Sequence, residues 1–108
     1  ELCDASNTSA LLTIDRIPVF DFVHKYIESG CIPGGTHRNW KTFGNRIGLK
    51  NEMDYNLIAD PQTSGGLLIS VDQDKQSEFE SFMERKKLKV KPIGALVEKN
   101  DSKTITIR

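Results

Sequence analysis

The sequence predicts an α/β fold of the α+β sandwich kind, with one mixed sheet of about four strands and helices packed on it. Three observations carry this expectation. Short runs rich in apolar and β-favouring residues recur at Thr8–Ile14, Leu67–Val71, Lys89–Glu98 and Lys103–Arg108. Between them apolar residues switch to helical spacing, with glycine and proline at the changes. No internal repeat and no low-complexity linker interrupts the series, so sheet and helices share one core. A chain of 108 residues fits a single domain, expected to span residues 1–108.

Glu1-Leu2-Cys3 carries no start signal and reads as the end of a preceding helix. Thr8–Ile14 is the first strand, ended by Asp15-Arg16. Pro18 suits the first turn of a helix. Val19, Phe22, Val23, Tyr26 and Ile27 follow at spacings that place them on one face, and Gly30 suits a left-handed cap. His24 lies beside that stripe and reads as a surface or core residue. A second helix follows Pro33-Gly34-Gly35, with Thr36 as candidate N-cap and Trp40, Phe43 and Ile47 on the buried side. It is expected to end near Ile47 or Gly48. Glu52–Ile58 offers one short helical turn. After the strand Leu67–Val71, Asp72 or Asp74 can cap a helix running to about Lys87, with Phe79, Phe82 and Met83 as its core face. Glu84-Arg85-Lys86-Lys87 is a solvated helix end whose cations suit a C-terminus. Pro92 marks the strand Lys89–Glu98 as an edge or a bulge. The turn at Lys99–Ser102 leads into the alternating strand Lys103–Arg108.

Two stretches stand out from this scaffold. Asp60-Pro61-Gln62-Thr63-Ser64-Gly65-Gly66 sets an acid, an amide, two hydroxyls and two glycines in a turn before an apolar run. Pro61 disfavours helix at Asp60, and the glycines permit close backbone approach. The residues alone allow either an ordinary turn or a ligand loop. Upstream, Pro33-Gly34-Gly35-Thr36-His37-Arg38-Asn39 opens a helix. The free N–H groups and dipole of a first helical turn favour an anion, and Arg38 in that turn is not helped by the helix itself. An external phosphate resolves the mismatch; the alternative is that Arg38 points to solvent or pairs with Asp60.

Lysines plus arginines and aspartates plus glutamates both number 15, so the formal charge is zero. That balance argues against nucleic acid or an anionic membrane as the main partner. No apolar run approaches the roughly 20 residues of a membrane span and no signal-peptide pattern opens the chain, so a soluble, cytoplasmic protein is expected. Cys3 and Cys31 show no metal-ligand spacing and read as reduced thiols, with a disulfide left open. No P-loop, dinucleotide fingerprint or kinase set is present. Asp60 is the one acid inside a glycine-bearing motif, thin support for a metal. Ser64, His37 and Asp60 form a Ser/His/Asp set in composition only, with no nucleophile-elbow pattern.

The wording DPQTSGGLL at residues 60–68 and PGGTHRN at residues 33–39 resembles the C-terminal domain of selenophosphate synthetase (selenide, water dikinase). That domain belongs to the wider aminoimidazole-ribotide-synthetase-like group. The likeness runs the length of the chain, with the motifs in the family's order and at about its spacing. It implies an α/β sandwich and an enzyme that makes selenophosphate from selenide and ATP, releasing AMP and phosphate. It also implies that the family's reactive cysteine or selenocysteine, its lysine and most Mg²⁺-binding aspartates lie in an N-terminal domain outside this sequence. One further aspartate of a DVTGFG-type motif would lie just before Glu1. No catalytic and no metal-binding residue is therefore assigned here. Phosphate- and substrate-binding candidates carried over from the motifs are Gly34, Gly35, Thr36, Arg38 and Asn39, with Asp60, Gln62, Thr63, Ser64, Gly65 and Gly66. His37 sits at a variable position and takes no role. ATP and Mg²⁺ are expected in the full-length enzyme, with neither bound by this portion alone. The implied partners are its own N-terminal domain and the small molecules ATP, selenide and selenophosphate, within a homodimer formed through the N-terminal domain. A related domain of another superfamily enzyme and a free-standing interaction module are the competing readings.

Overall fold

A computed structural model describes all residues from 1 to 108. Four strands form one mixed sheet in the order β2-β4-β1-β3, where β1 is Thr8–Leu12, β2 Ile47–Leu49, β3 Gly94–Glu98 and β4 Ile105–Ile107. β1 pairs antiparallel with β3 from Thr8↔Glu98 to Leu12↔Gly94, and parallel with β4 through Ala10↔Ile105. β4 pairs parallel with β2 through Ile47↔Ile105. The helices are α1 (Leu2–Ala5), α2 (Val23–Glu28), α3 (Gly34–Phe43), α4 (Tyr55–Ile58) and α5 (Gln76–Arg85). Sheet plus helices is the predicted class. No helix is long and apolar enough to cross a membrane.

The largest group of buried residues lies where α1 meets the sheet. Cys3, Ser9, Ala10 and Ile107 are buried there. Buried Ser9 is fully used: its Oγ accepts from Asn100 N (2.8 Å) and donates to Lys103 O (3.4 Å), which ties the β3–β4 turn to β1. Gly94 begins β3 because nothing larger fits: a Cβ there would lie 2.1 Å from Leu11 O. Asp4 accepts a hydrogen bond from Arg46, which also donates to Thr104 Oγ1 at 3.1 Å, joining α1 to the approaches of β2 and β4. Cys3 is buried, Cys31 is exposed, and both are free thiols.

Several predicted elements shift. The chain at Leu67–Val71 is not a strand: Leu67 is 92% exposed, and no backbone–backbone hydrogen bond involves residues 60–71. β propensity makes a strand only where a neighbouring ladder accepts it. The fourth place in the sheet goes instead to Ile47–Leu49, which had read as the end of a helix. There α3 stops at Phe43, a 3₁₀ turn over Gly44–Arg46 follows, and Ile47 enters β2. Gly44 packs its bare Cα against the Trp40 ring, 2.7 Å from where a Cβ would stand.

Thr36 is not an N-cap. Pro33 holds the extended cap geometry (φ −60°, ψ 139°), and Thr36, whose N–H donates to Pro33 O, is the third residue of α3. α2 begins at Val23 rather than at Pro18, and Gly30 (φ 76°) follows its end as expected. The predicted core faces are half open: Val23, Ile27, Trp40, Phe79 and Met83 are half-buried, while Phe22, Tyr26, Phe43 and Phe82 are exposed. The last helix follows a 3₁₀ turn over Gln73–Lys75 and ends at Arg85, and the side chain of Asp72 caps neither. β3 starts at Gly94 rather than Lys89, and lies at the sheet edge as Pro92 implied.

Candidate functional site

The two motifs meet. Asn39 on α3 donates from Nδ2 to Ala59 O (3.0 Å), holding the residue before Asp60 against the helix. Gly35 faces Pro61 so closely that a Cβ would come within 2.6 Å of its Cγ. Glycine at this position lets the second loop lie on the first turn of α3. Behind the contact, Trp40 stacks on Tyr55 with centroids 5.4 Å apart, which fixes α4 against α3.

A cleft of about 780 Å³ opens beside this junction. One wall is the apolar stretch from Ile17 through α2 to Pro33, including Phe20, Val23 and Tyr26; the other is the loop Asp60–Gly66, with Asn56 and Leu57 also lining the space. Asp60 is the only carboxylate in that lining. Gln62, Thr63, Ser64, Gly65 and Gly66 thus share a concave surface with Asp60. Gly34, Gly35, Thr36, Arg38 and Asn39 do not line it and stand on the neighbouring turn of α3.

That turn carries free backbone donors. The Gly34 and Gly35 amides have no intrahelical acceptor and appear in no turn or cap bond. The Arg38 side chain comes back beside Gly34, with Nη1 3.5 Å from where a Cβ of that glycine would be. Arg38 is exposed and makes no ion pair with Asp60 or any other acid. Thr36 is fully buried and its Oγ1 has no partner, so its hydroxyl does not reach the surface. Two free N–H groups and an unpaired guanidinium on one turn suit a phosphate-sized anion.

His37 turns away from the cleft: Tyr55 Oη lies 3.4 Å from its Nδ1. The Ser/His/Asp set is therefore not assembled. No group of three or more His, Cys, Asp or Glu residues is placed to hold a metal ion. With one carboxylate in the cleft, the residues present do not fit a Mg²⁺ site.

Asn56 escaped the sequence reading. It is 3% exposed, lines the cleft, and neither amide atom has a partner. The available signal was a lone amide inside the apolar run Tyr55-Asn56-Leu57-Ile58. The α2 wall was read only as core.

The residue profile of the AIR synthase related protein, C-terminal domain, matches residues 1–107. Among curated proteins, the chain is similar to a selenide, water dikinase of Pasteurella multocida, 39% identical over 107 residues, covering 99% of this chain and 30% of that protein. The selenide, water dikinase of Colwellia psychrerythraea is 39% identical over 97 residues, 90% of this chain and 28% of its own length. That of Pseudomonas putida is 40% identical over 99 residues, 92% of this chain and 29% of its own. The chain thus spans about 30% of the length of the curated relatives it matches.

Proposed function

The chain belongs to the AIR synthase related protein C-terminal domain family, and from that premise we propose that it is the C-terminal domain of a selenide, water dikinase. The whole enzyme would act in the cytoplasm as a homodimer formed through its N-terminal domain. It would use ATP and selenide to give selenophosphate, AMP and phosphate. This portion would be inactive alone, because it carries neither a nucleophile in a suitable setting nor a metal site; Mg²⁺ would be held by the N-terminal domain.

Phosphoryl transfer depends mainly on positioning and on neutralising charge. The part assigned to this domain is to complete a phosphate-binding surface. The Gly34 and Gly35 amides would donate to phosphate or selenophosphate oxygens, and Arg38 would supply the cation. Thr63 and Ser64 hydroxyls would reach the same ligand across the junction, with Gln62, Gly65 and Gly66 shaping the loop. Asp60 would orient that loop rather than act as a base, and Asn39 would hold the loop to α3. Thr36 would help only by packing.

The observation that carries this reading is the contact of the two motifs, Gly35 against Pro61, beside free amides and an unpaired Arg38. The test is Arg38→Ala in the complete enzyme, with AMP formation from ATP and selenide followed by phosphorus NMR. A loss of about 100-fold is expected, the scale on which single donors to developing charge act. Unchanged turnover would remove Arg38 from the phosphate site.

A further inference from the structure

Charge is balanced over the whole chain, with 15 residues of each sign, but not along it. The stretch RKKLKVKPI at residues 85–93 sets five cations among aliphatics and proline, with no acid. All five cations are exposed, and none takes part in an ion pair. The end of α5 gathers them. Lys87 N–H donates to Glu84 O (2.8 Å) and Leu88 N–H to Met83 O (2.9 Å), with Lys87 in the left-handed region (φ 60°). The dipole at the C-terminus of α5 accounts for Arg85 and Lys86, but its field fades beyond the last turn and leaves Lys87, Lys89 and Lys91 without a partner. Edge lysines often guard a strand against pairing, yet Lys89 and Lys91 precede β3, which begins at Gly94.

Apolar side chains open to solvent lie among these cations. Phe82, Leu88 and Val90 are 47%, 53% and 37% exposed. Arg85 and Lys86 stand 6.0 and 5.6 Å from the centroid of the Phe82 ring, so two charges are held beside it. The acids of α5 lie elsewhere. At about 3.6 residues per turn, Glu80 and Glu84 fall on the side of the helix opposite Phe82, and Glu78 is joined to Lys75 at 3.5 Å. No residue from 82 to 93 lines the cleft beside the two motifs.

We propose that Phe82 and the segment 85–93 form a peripheral docking surface for an anionic lipid bilayer. The ammonium groups of Lys87, Lys89 and Lys91 meet headgroup phosphates, while Phe82, Leu88 and Val90 enter the headgroup boundary. The aliphatic residues select this partner over nucleic acid. A single strand of nucleic acid is held by aromatic faces free for stacking, and its bases are read by amide or arginine side chains. Here the one ring already has two cations of its own chain beside it, and residues 85–93 contain no amide side chain. Leu88 and Val90 have no task against a phosphate backbone and a defined one at a lipid boundary. With three apolar side chains and a handful of lysines, the contact is reversible and sensitive to salt.

The test is sedimentation of the complete protein with vesicles of phosphatidylcholine, alone or mixed with an equal part of phosphatidylglycerol. The parent should bind the mixed vesicles and not the neutral ones, and added salt should release it. The variant Lys87→Gln/Lys89→Gln/Lys91→Gln should bind about 100-fold more weakly, at about fivefold per cation. Leu88→Ser/Val90→Ser leaves the charge unchanged and should weaken binding about tenfold. The control Lys25→Gln/Lys41→Gln/Lys50→Gln removes three exposed cations elsewhere and should match the parent. All substituted positions are exposed, and urea midpoints equal to the parent's should accompany each variant. No binding to the mixed vesicles, or a loss in the first variant no larger than in the control, would overturn the proposal. Binding unmoved by the serine variant would leave a patch for any polyanion and overturn the lipid assignment. Retention of polyuridylate through the same lysines, without vesicle binding, would make nucleic acid the partner and overturn it as well.

Discussion

The region around Asp4, Ser9, Arg46 and Asn100 and the region from Asp60 to Val71 are built on opposite terms. In the first, buried Ser9 has both a donor and an acceptor, Arg46 reaches Asp4 and Thr104, and the turn into β4 is closed by Asn100 side-chain bonds to Ser102 and Lys103. In the second, no backbone–backbone hydrogen bond is made and the apolar side chains face outward. The sheet region satisfies itself. The motif region leaves the hydroxyls of Thr63 and Ser64 and the side chains of Leu67, Leu68 and Ile69 exposed. An unsatisfied stretch next to a satisfied sheet is how a binding surface differs from a scaffold.

Replacing one glycine in each region gives the largest contrast. Gly94→Val drives a side chain into Leu11 O and Leu12, where the backbone is pinned by the β1–β3 ladder. It should destabilise the chain by about 3 kcal/mol, the upper end of ordinary overpacking costs. Gly66→Ala meets nothing within 4 Å and should shift stability by less than about 0.5 kcal/mol. Urea unfolding of the two variants measures both. Similar losses would mean that the loop is as tightly held as the sheet.

Gly35→Ala probes the seam between the regions. The added Cβ must move Pro61, 2.6 Å away at Cγ, and Pro61 belongs to a loop with no backbone tether. The stability cost should therefore stay near 1 kcal/mol. On the proposed function, AMP formation by the complete enzyme should fall at least about tenfold, because small misplacement of binding groups is costly to catalysis. A large stability loss with normal turnover would reverse this reading.

Asn56→Leu asks whether the cleft floor is strained. Both amide atoms are buried without partners, and an unmade hydrogen bond of this kind costs about 1–3 kcal/mol. The apolar variant should be as stable as the parent or more stable by about 1 kcal/mol. A clear loss in urea midpoint would reveal a partner for the amide.

The same division explains how much could be read from sequence. β1, β3 and β4 were legible because apolar and β-branched residues cluster there and Pro92 announced an edge. Gly30 was legible because a helix ending in a left-handed residue selects glycine. β2 was missed because Ile47 also continued the helical spacing of Trp40 and Phe43, whereas the chain leaves α3 at Gly44 through a 3₁₀ turn. Leu67–Val71 had the residues of a strand without a ladder to join, information that lies in the other strands. The meeting of the motifs is not written in their spacing; the Gly35–Pro61 and Asn39–Ala59 contacts bring it about. Asn56 and the exposed aromatic flank could not be foreseen, since the pattern of an apolar stripe does not say what covers it.

The smallest expected effect lies in the self-satisfied region. Asp4 is held below the usual carboxylate range, chiefly by the hydrogen bond from Arg46, with the charges of Arg46, the N-terminus and Lys99 adding to it against partial desolvation. The same hydrogen bond raises Arg46. Because the folded pKa of Asp4 lies below its unfolded one, the pair's contribution is fully present above the unfolded value. It is lost as pH falls through the depressed folded value. Asp4→Asn should therefore flatten part of the decline in urea midpoint on the acid side and leave the slope around neutral pH unchanged. Both partners are exposed, with side chains 44% and 42% accessible, so salt should shrink the difference between parent and variant. If the acid-side slopes of parent and variant coincide at low salt, Asp4 and Arg46 are paired without consequence. The sheet region would then owe its order to Ser9, Gly94 and the ladders alone.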